Sequence, residues 1–241
     1  MNKLTIVKRL ESSRMALFTP AQISTILDKN INSTRVLLSR LESEGILTRV
    51  KRGHYCLPST PVLSVASNIY PPSYISLWAA FEYHGTTTQS PRVIDVVNTS
   101  KSGRRELSLE GGNYEIRFIK TDESNIYGME KVLLDGKEAF IADKEKAVVD
   151  GLLFNEYIPL GEVIDALKDG IDVEKAVKYA KKYGKIAAMK RLGYLLDKEN
   201  YDCKPSDFGG LSNTYVPLDP SLERRGKYDS TWHMIDNRRG V

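Results

Sequence analysis

The sequence predicts an α+β protein in two parts. A small basic module of three helices and a β-hairpin comes first, followed by a larger body in which strands give way to helices. Three observations carry this. The first 57 residues hold ten Lys/Arg against four Asp/Glu, a charge of +6, which leaves −2 for the rest of a chain whose net charge is +4. Those residues also show helix caps and a helical apolar period as far as Gly45, then two short runs about Lys51-Arg52-Gly53. Beyond Arg92, short β-rich runs precede four stretches with helical signals.

The 241 residues are enough for one large or two small domains with real cores. With 41% hydrophobic and 27% charged residues the composition is that of an ordinary soluble protein. No run approaches the ~18 consecutive apolar residues of a membrane span. The N-terminal MNKLTIVKRLESSR has no apolar core of a secretory signal. Cys56 and Cys203 are far apart, there is no CxxC, and the histidines are His54, His84 and His233. That pattern predicts no structural metal site and a reducing, cytoplasmic setting.

The first helix is expected over residues 4–14, with Leu4, Val7 and Leu10 on one face. Phe18-Thr19-Pro20-Ala21-Gln22 is a start signal for the second. Thr19 caps, Pro20 suits the first helical position, Gln22 completes a capping box, and Phe18 with Ile23 forms a hydrophobic staple. This helix runs to about Leu27, and a turn then leads to Asn32, the expected cap of helix three. Gly45 ends that helix in the left-handed conformation. On a helical wheel Thr34, Leu37, Leu38 and Leu41 share the core face. Asn32, Arg35, Val36, Ser39 and Ser43 lie opposite, with Arg40 at the margin. Asn, Arg and Ser can address base edges, and a valine methyl can meet a thymine methyl.

Residues 46–50 and 54–57 read as the strands of a hairpin with a basic tip. Three helices and a basic hairpin, in that order, predict a winged helix-turn-helix in residues 1–58, with double-stranded DNA as partner. The candidate DNA-binding residues are Asn32, Ser33, Thr34, Arg35, Val36, Ser39 and Arg40 on the helix, for base edges. Lys51, Arg52 and His54 on the hairpin are the candidates for phosphate.

Residues 59–241 are expected to form an α+β domain with a sheet of three to five mostly antiparallel strands. Residues 57–61 read as a linker. A capped helix is expected over 73–85, carrying Tyr74, Leu77, Trp78 and Phe81 as a core stripe. Strands follow at 92–99, 114–120, 131–134 and 138–141, the last two joined by a turn at Asp135-Gly136. Helices follow at 143–154, 159–168, 172–183 and 185–199. Residues 200–241 read as an extended, surface-docked tail, locally basic through Arg224, Arg225, Lys227, Arg238 and Arg239.

No catalytic constellation emerges: GxxxxGK[ST], strand-borne GxGxxG, HExxH and GxSxG are all missing. Asp143, Glu145 and Asp150 invite a metal-dependent nuclease reading, but Asp143 fits better as an N-cap and Glu145 as a first-turn acid. The expectation is a non-enzymatic chain without catalytic residues, cofactor or metal.

Five stretches together carry a family resemblance. They are the hairpin ending RGHY, SYISLWAAFEYHGTTTQSP at 73–91, IADKEKAVVDGL at 141–152, RLGYLLD at 191–197 and LDPSLERRGKYDSTWHMIDN at 218–237. The chain resembles the AbiEi antitoxins of abortive-infection (type IV) toxin–antitoxin systems over nearly its whole length. The resemblance implies a transcriptional autorepressor whose winged helix binds inverted repeats in its own promoter. It also implies an antitoxic C-terminal domain, a nucleotidyltransferase toxin as functional partner, and no required stable complex with that toxin. Inverted repeats call for two copies related by a two-fold axis, from a dimer in solution or from monomers meeting on DNA. Two other functions compete: a stand-alone winged-helix regulator with no toxin, and a DNA-targeted nucleic-acid-processing enzyme.

Overall fold

The structure, a computed structural model, describes residues 2–238. It divides into two compact units, Met1–Ile75 with Arg92–Ile141, and Ser76–Pro91 with Ala142–Val241.

The first unit opens with α1 (Lys3–Glu11), α2 (Pro20–Leu27) and α3 (Ile31–Ser43), followed by β1 (Thr48–Lys51) and β2 (His54–Cys56). In α1 the buried face is Ile6 and Leu10, with Val7 packed beside them, whereas Leu4 is 62% exposed. The expected Leu4 stripe is thus rotated, because the i, i+4 pair Ile6/Leu10 meets the core. At α2, Thr19 accepts from the Gln22 amide and Gln22 accepts from the Thr19 amide, so the capping box forms. Phe18 and Ile23 are buried in one cluster. The cap of α3 is Asn30, not Asn32: its side chain accepts from Ser33 N at 2.9 Å, and the helix starts two residues sooner. At the other end Gly45 takes φ +70°, with Gly45 N bonded to Glu42 O and Ile46 N to Leu41 O. This is the Schellman pattern that a glycine permits.

A mixed sheet of six strands completes this unit, in the order β5-β6-β4-β3-β8-β7. Its members are β3 (Ser73–Ser76), β4 (Val93–Asn98), β5 (Gly103–Leu109), β6 (Gly112–Lys120), β7 (Met129–Leu134) and β8 (Lys137–Ala142). The expected mostly antiparallel sheet of three to five strands is corrected on three counts. β5 is an edge strand whose alternating exposed residues (GRRELSL) give little apolar signal. β6 pairs antiparallel with β5 and parallel with β4, because the chain runs out to the edge as β5 and folds back between them. β3 occupies the first third of the expected helix 73–85 and pairs parallel with β8 at Ile75↔Ile141. All four of its residues are buried inside the sheet, so pairing overrides helical periodicity. A short helix that the sequence reading does not include, α4 (Val62–Ser67), directly follows the 57–61 segment, and its Ser64 hydroxyl donates to Lys137 O.

The three-helix module is hydrogen-bonded to this sheet. Lys137, 5% exposed, donates through Nζ to Leu10 O (2.8 Å), Glu11 O (3.1 Å) and Ser13 O (2.6 Å) at the end of α1. Glu138 N donates to Arg14 O at 2.8 Å, and Arg105 on β5 donates to Val50 O at 2.9 Å.

The second unit holds α5 (Leu77–Tyr83), α6 (Lys144–Leu153), α7 (Leu160–Lys168), α8 (Val173–Tyr183) and α9 (Ile186–Lys198). Asp143 caps α6 as expected, accepting from Lys146 N at 2.8 Å. The final segment is folded rather than an extended tail. β9 (Val216–Pro217), β10 (Lys227–Asp229) and β11 (Met234–Asp236) form a sheet in the order β10-β11-β9. Trp232, 1% exposed, packs edge-on to Phe208 and sits where a Cβ on Gly193 would approach within 2.0 Å. Among the described residues no helix is long and apolar enough to cross a membrane.

Candidate nucleic-acid interface

The sequence of α3 divides its surface cleanly. Thr34, Leu38 and Leu41 are buried and Leu37 packs beside them, while Asn32, Ser33, Arg35, Val36, Ser39 and Arg40 face solvent. Val36 is 73% exposed, a large apolar side chain that α3 turns away from the core. The buried leucines fix the helix in rotation, which turns these six residues outward. Arg35 has no ion-pair partner among the described residues. Arg40 is engaged: its Nε lies 3.2 Å from Glu44 Oε1, and Lys3 holds the other oxygen at 2.8 Å. Hydrogen bonds from Lys3 and Arg40 hold the Glu44 carboxyl below the usual carboxylate range. Thr34, expected among the base-reading residues, lies in the core with its hydroxyl donated to Asn30 O at 2.9 Å.

The hairpin residues part company in the same way. β1 and β2 pair antiparallel about Arg52-Gly53, and Gly53 at φ +72° makes the turn without strain. Phe18 adds a third, one-residue strand, exchanging backbone hydrogen bonds with Tyr55 at 2.8 and 2.9 Å. The segment between α1 and α2 is thereby tied to the hairpin after α3. Arg52 is exposed and has no ion-pair partner among the described residues. His54 is half-buried, with Nδ1 3.2 Å from Arg52 O. Lys51 is turned inward: its ammonium donates to Ile69 O and lies 4.5 Å from the centre of the Tyr70 ring. Burial lowers its pKa from the ordinary lysine value. Tyr70 in turn packs edge-on to Phe118 of β6, so Lys51 links the hairpin to the sheet.

The structure thus presents Asn32, Ser33, Arg35, Val36 and Ser39 on one helix, with Arg52 and His54 on the hairpin. It does not present Thr34 or the Lys51 ammonium. Lys29, exposed in the turn before α3, was not among the sequence-derived candidates. The signal for it is a cation beside the first amides of a helix, a place where phosphate is readily bound.

Residues 6–58 match the model of a family described as transcriptional regulator, AbiEi antitoxin. The N-terminal module is thus similar to that of AbiEi regulators. No curated protein matches the chain. The AbiEi match spans all three helices from Ile6 onward and the whole hairpin, so it covers the candidate interface. It supports a regulator and antitoxin role. The stretches at 73–91, 141–152, 191–197 and 218–237 that also resemble AbiEi proteins lie outside it.

The carboxylates of the competing nuclease reading do not converge on an open site. Asp143 Oδ2 accepts from the Tyr179 hydroxyl at 2.8 Å, Lys175 lies 3.2 Å from Asp143 and 2.9 Å from Glu145, and Lys146 pairs with buried Asp150 at 2.6 Å. Ser76 donates to the other Asp150 oxygen at 2.8 Å. No group of three or more His, Cys, Asp or Glu side chains suited to a metal ion occurs among the described residues.

Proposed function

We propose that this chain is a DNA-binding transcriptional autorepressor and antitoxin, whose N-terminal module is a winged helix-turn-helix. In this reading α3 enters the major groove, with Asn32, Ser33, Arg35, Val36 and Ser39 at base edges. The β1–β2 hairpin is the wing, with Arg52 and His54 beside phosphate, and Lys29 meets phosphate at the start of α3. Arg40 contributes after exchanging Glu44 for DNA. Lys51 acts as an anchor rather than a phosphate contact, because its ammonium is already held by Ile69 O. Residues 1–58 form the DNA-contacting segment, residues 59–241 carry the antitoxic activity, and the functional partner is a nucleotidyltransferase toxin.

The observation that carries this reading is the α3 face on which Val36 is 73% exposed between Arg35 and Ser39 while Leu38 is 1% exposed. A purely solvated face would favour Glu and Lys over an exposed valine flanked by Arg and hydroxyls. The Phe18–Tyr55 strand pairing adds support, since it gives the hairpin the three-stranded root of a wing. The +6 charge of residues 1–57 is the electrostatic footprint of a polyanion partner.

Inverted repeats would be met by two copies of α3 about one helical turn of DNA apart. Footprinting the region upstream of the chain's own gene tests the reading. Two protected half-sites spaced by about 10 base pairs, or a multiple, agree with it. Absence of any protected site, at protein concentrations that bind bulk DNA, rejects it.

A further inference from the structure

The segment Tyr215–Arg238 has no part in the proposed DNA contact, yet it is built with unusual economy around one exposed loop. Asn237, 6% exposed, holds that loop from within: its side-chain amide donates to Asp219 O (2.8 Å), Glu223 O (3.0 Å) and Leu222 O (3.5 Å), and its oxygen accepts from Asp219 N (2.9 Å). Gly226 lies so close to the chain that a Cβ there would come within 2.0 Å of Asp236 O. Asp219 accepts from Ser221 N (2.9 Å) and its hydroxyl (2.6 Å), turning the loop tightly.

The acids of this segment are consumed internally. Asp236 takes the Tyr194 hydroxyl (2.8 Å) and the Arg238 guanidinium (2.9 and 2.5 Å), Asp229 takes Trp232 N (2.9 Å), and Asp219 closes its own turn. Arg224, Arg225 and Lys227 remain exposed, and among the described residues their one ion pair is Arg225 with Glu223, at 3.9 Å. A segment of balanced formal charge thus presents a positive face.

Aromatic rings stand beside one of those cations, Arg224. Tyr228 is 62% exposed on edge strand β10, its ring edge-on to Tyr215 at 5.1 Å, and Tyr215 is edge-on to His233 at 5.3 Å. Arg224 donates to Tyr215 O, which brings its guanidinium to this cluster with further N–H groups to spare. Lys227 points to the other face of β10 and stands apart. A stiff loop, an exposed ring held by a second ring, and two arginines match the needs of an unpaired nucleotide. The base stacks on an aromatic face, the phosphates meet guanidinium, and little ordering entropy remains to be lost.

We infer that this face is a second nucleic-acid surface, taking single-stranded nucleic acid with a base on Tyr228 and the adjoining phosphates on Arg224 and Arg225. Bases inside a duplex cannot reach such a platform, which separates this surface from the one on α3. The test uses the full chain and fluorescence anisotropy with labelled oligouridylate and oligothymidylate of about 12 nucleotides, a span that stacking sites cover. A duplex of the same length is measured in parallel.

Tyr228→Ala weakens single-strand binding on the order of tenfold and leaves duplex binding unchanged, while Tyr228→Trp keeps it. Arg224→Ala/Arg225→Ala lowers single-strand affinity and its salt dependence, and Arg35→Ala/Arg52→Ala weakens only the duplex. A Tyr228 dependence with either sugar supports the surface; a larger effect with the uridylate marks RNA as the ligand and with the thymidylate DNA. Wild-type single-strand affinity in Tyr228→Ala, or parallel losses on both probes in every variant, overturns it. Because Tyr228 is exposed, its replacement leaves the core intact.

Discussion

Lys137 donates its ammonium to Leu10 O at 2.8 Å, joining strand β8 to the last turn of α1 across 127 residues of sequence. Three carbonyls at that helix end converge on the same ammonium, and the negative end of the helix dipole favours it. Leu10 O takes a long local bond from Ser13 N at 3.3 Å, and the Lys137 ammonium adds a shorter donor to it from the sheet. The DNA-contacting module therefore takes its position from the sheet as well as from its own leucines. Replacing Lys137 by Met keeps the stem and removes the donors from the Leu10, Glu11 and Ser13 carbonyls, at a cost of about 1–2 kcal/mol. Urea unfolding of Lys137→Met measures this. Loss of promoter affinity with an unchanged salt slope accompanies it, since Lys137 touches no phosphate.

Lys51 and Arg52 are neighbours in sequence with different expected effects. Arg52→Ala removes one phosphate contact and lowers the slope of log affinity against log salt by about one unit. Lys51→Ala leaves that slope unchanged and lowers the melting temperature, because the ammonium is held by Ile69 O over Tyr70. Binding isotherms at several salt concentrations separate the two.

Gly193 on α9 admits no side chain, since a Cβ would lie 2.0 Å from the Trp232 ring. Gly193→Ala displaces that ring and destabilises the second unit by roughly 1–3 kcal/mol, the usual cost of overpacking. A change in tryptophan emission under native conditions and an earlier urea midpoint are the expected readouts.

Burial raises the pKa of Glu145, but the Lys175 ammonium and the Asp172 amide outweigh it and hold the carboxyl below its usual 4.5. A carboxyl depressed in the folded state contributes stability that is complete above its unfolded value and is lost as pH falls through its folded value. Wild-type protein thus loses stability on acidification below about pH 4.5, in part through this group. Lys175→Met, which removes the cation, flattens that part of the profile and lowers stability at neutral pH. Unfolding free energies measured from pH 7 down to pH 3 decide it.

Much of the module was legible in the sequence because its signals are local. The Thr19/Gln22 box, the Gly45 stop and the leucine face of α3 each depend on neighbours within a few residues, and each forms as expected. The sheet was less legible because its pairings are distant. Tyr74 falls in a helical stripe with Leu77, Trp78 and Phe81, but the place of Ser73–Ser76 beside β8 is set by residues near 141. β5 gives little sequence signal because an edge strand with one buried residue, Leu107, has the pattern of a loop. At the interface, the outward face of α3 followed from periodicity. The inward turn of Lys51 did not, because its acceptor at Ile69 lies 18 positions away. Asn32 lost the cap to Asn30 because two asparagines two residues apart offer the same chemistry, and only the start of the helix distinguishes them.

If the outward face of α3 reads DNA sequence, the preference must show in binding. Titration of the full chain against DNA from directly upstream of its own gene, with a shuffled sequence of equal length as control, tests it most directly. Wild type should prefer the upstream DNA, and Arg35→Ala should lose on the order of tenfold or more in affinity for it, the weight of one base contact. Binding to the shuffled control should change far less. Equal affinity of wild type for both sequences, or an Arg35→Ala variant with undiminished preference, would show that this face does not read sequence.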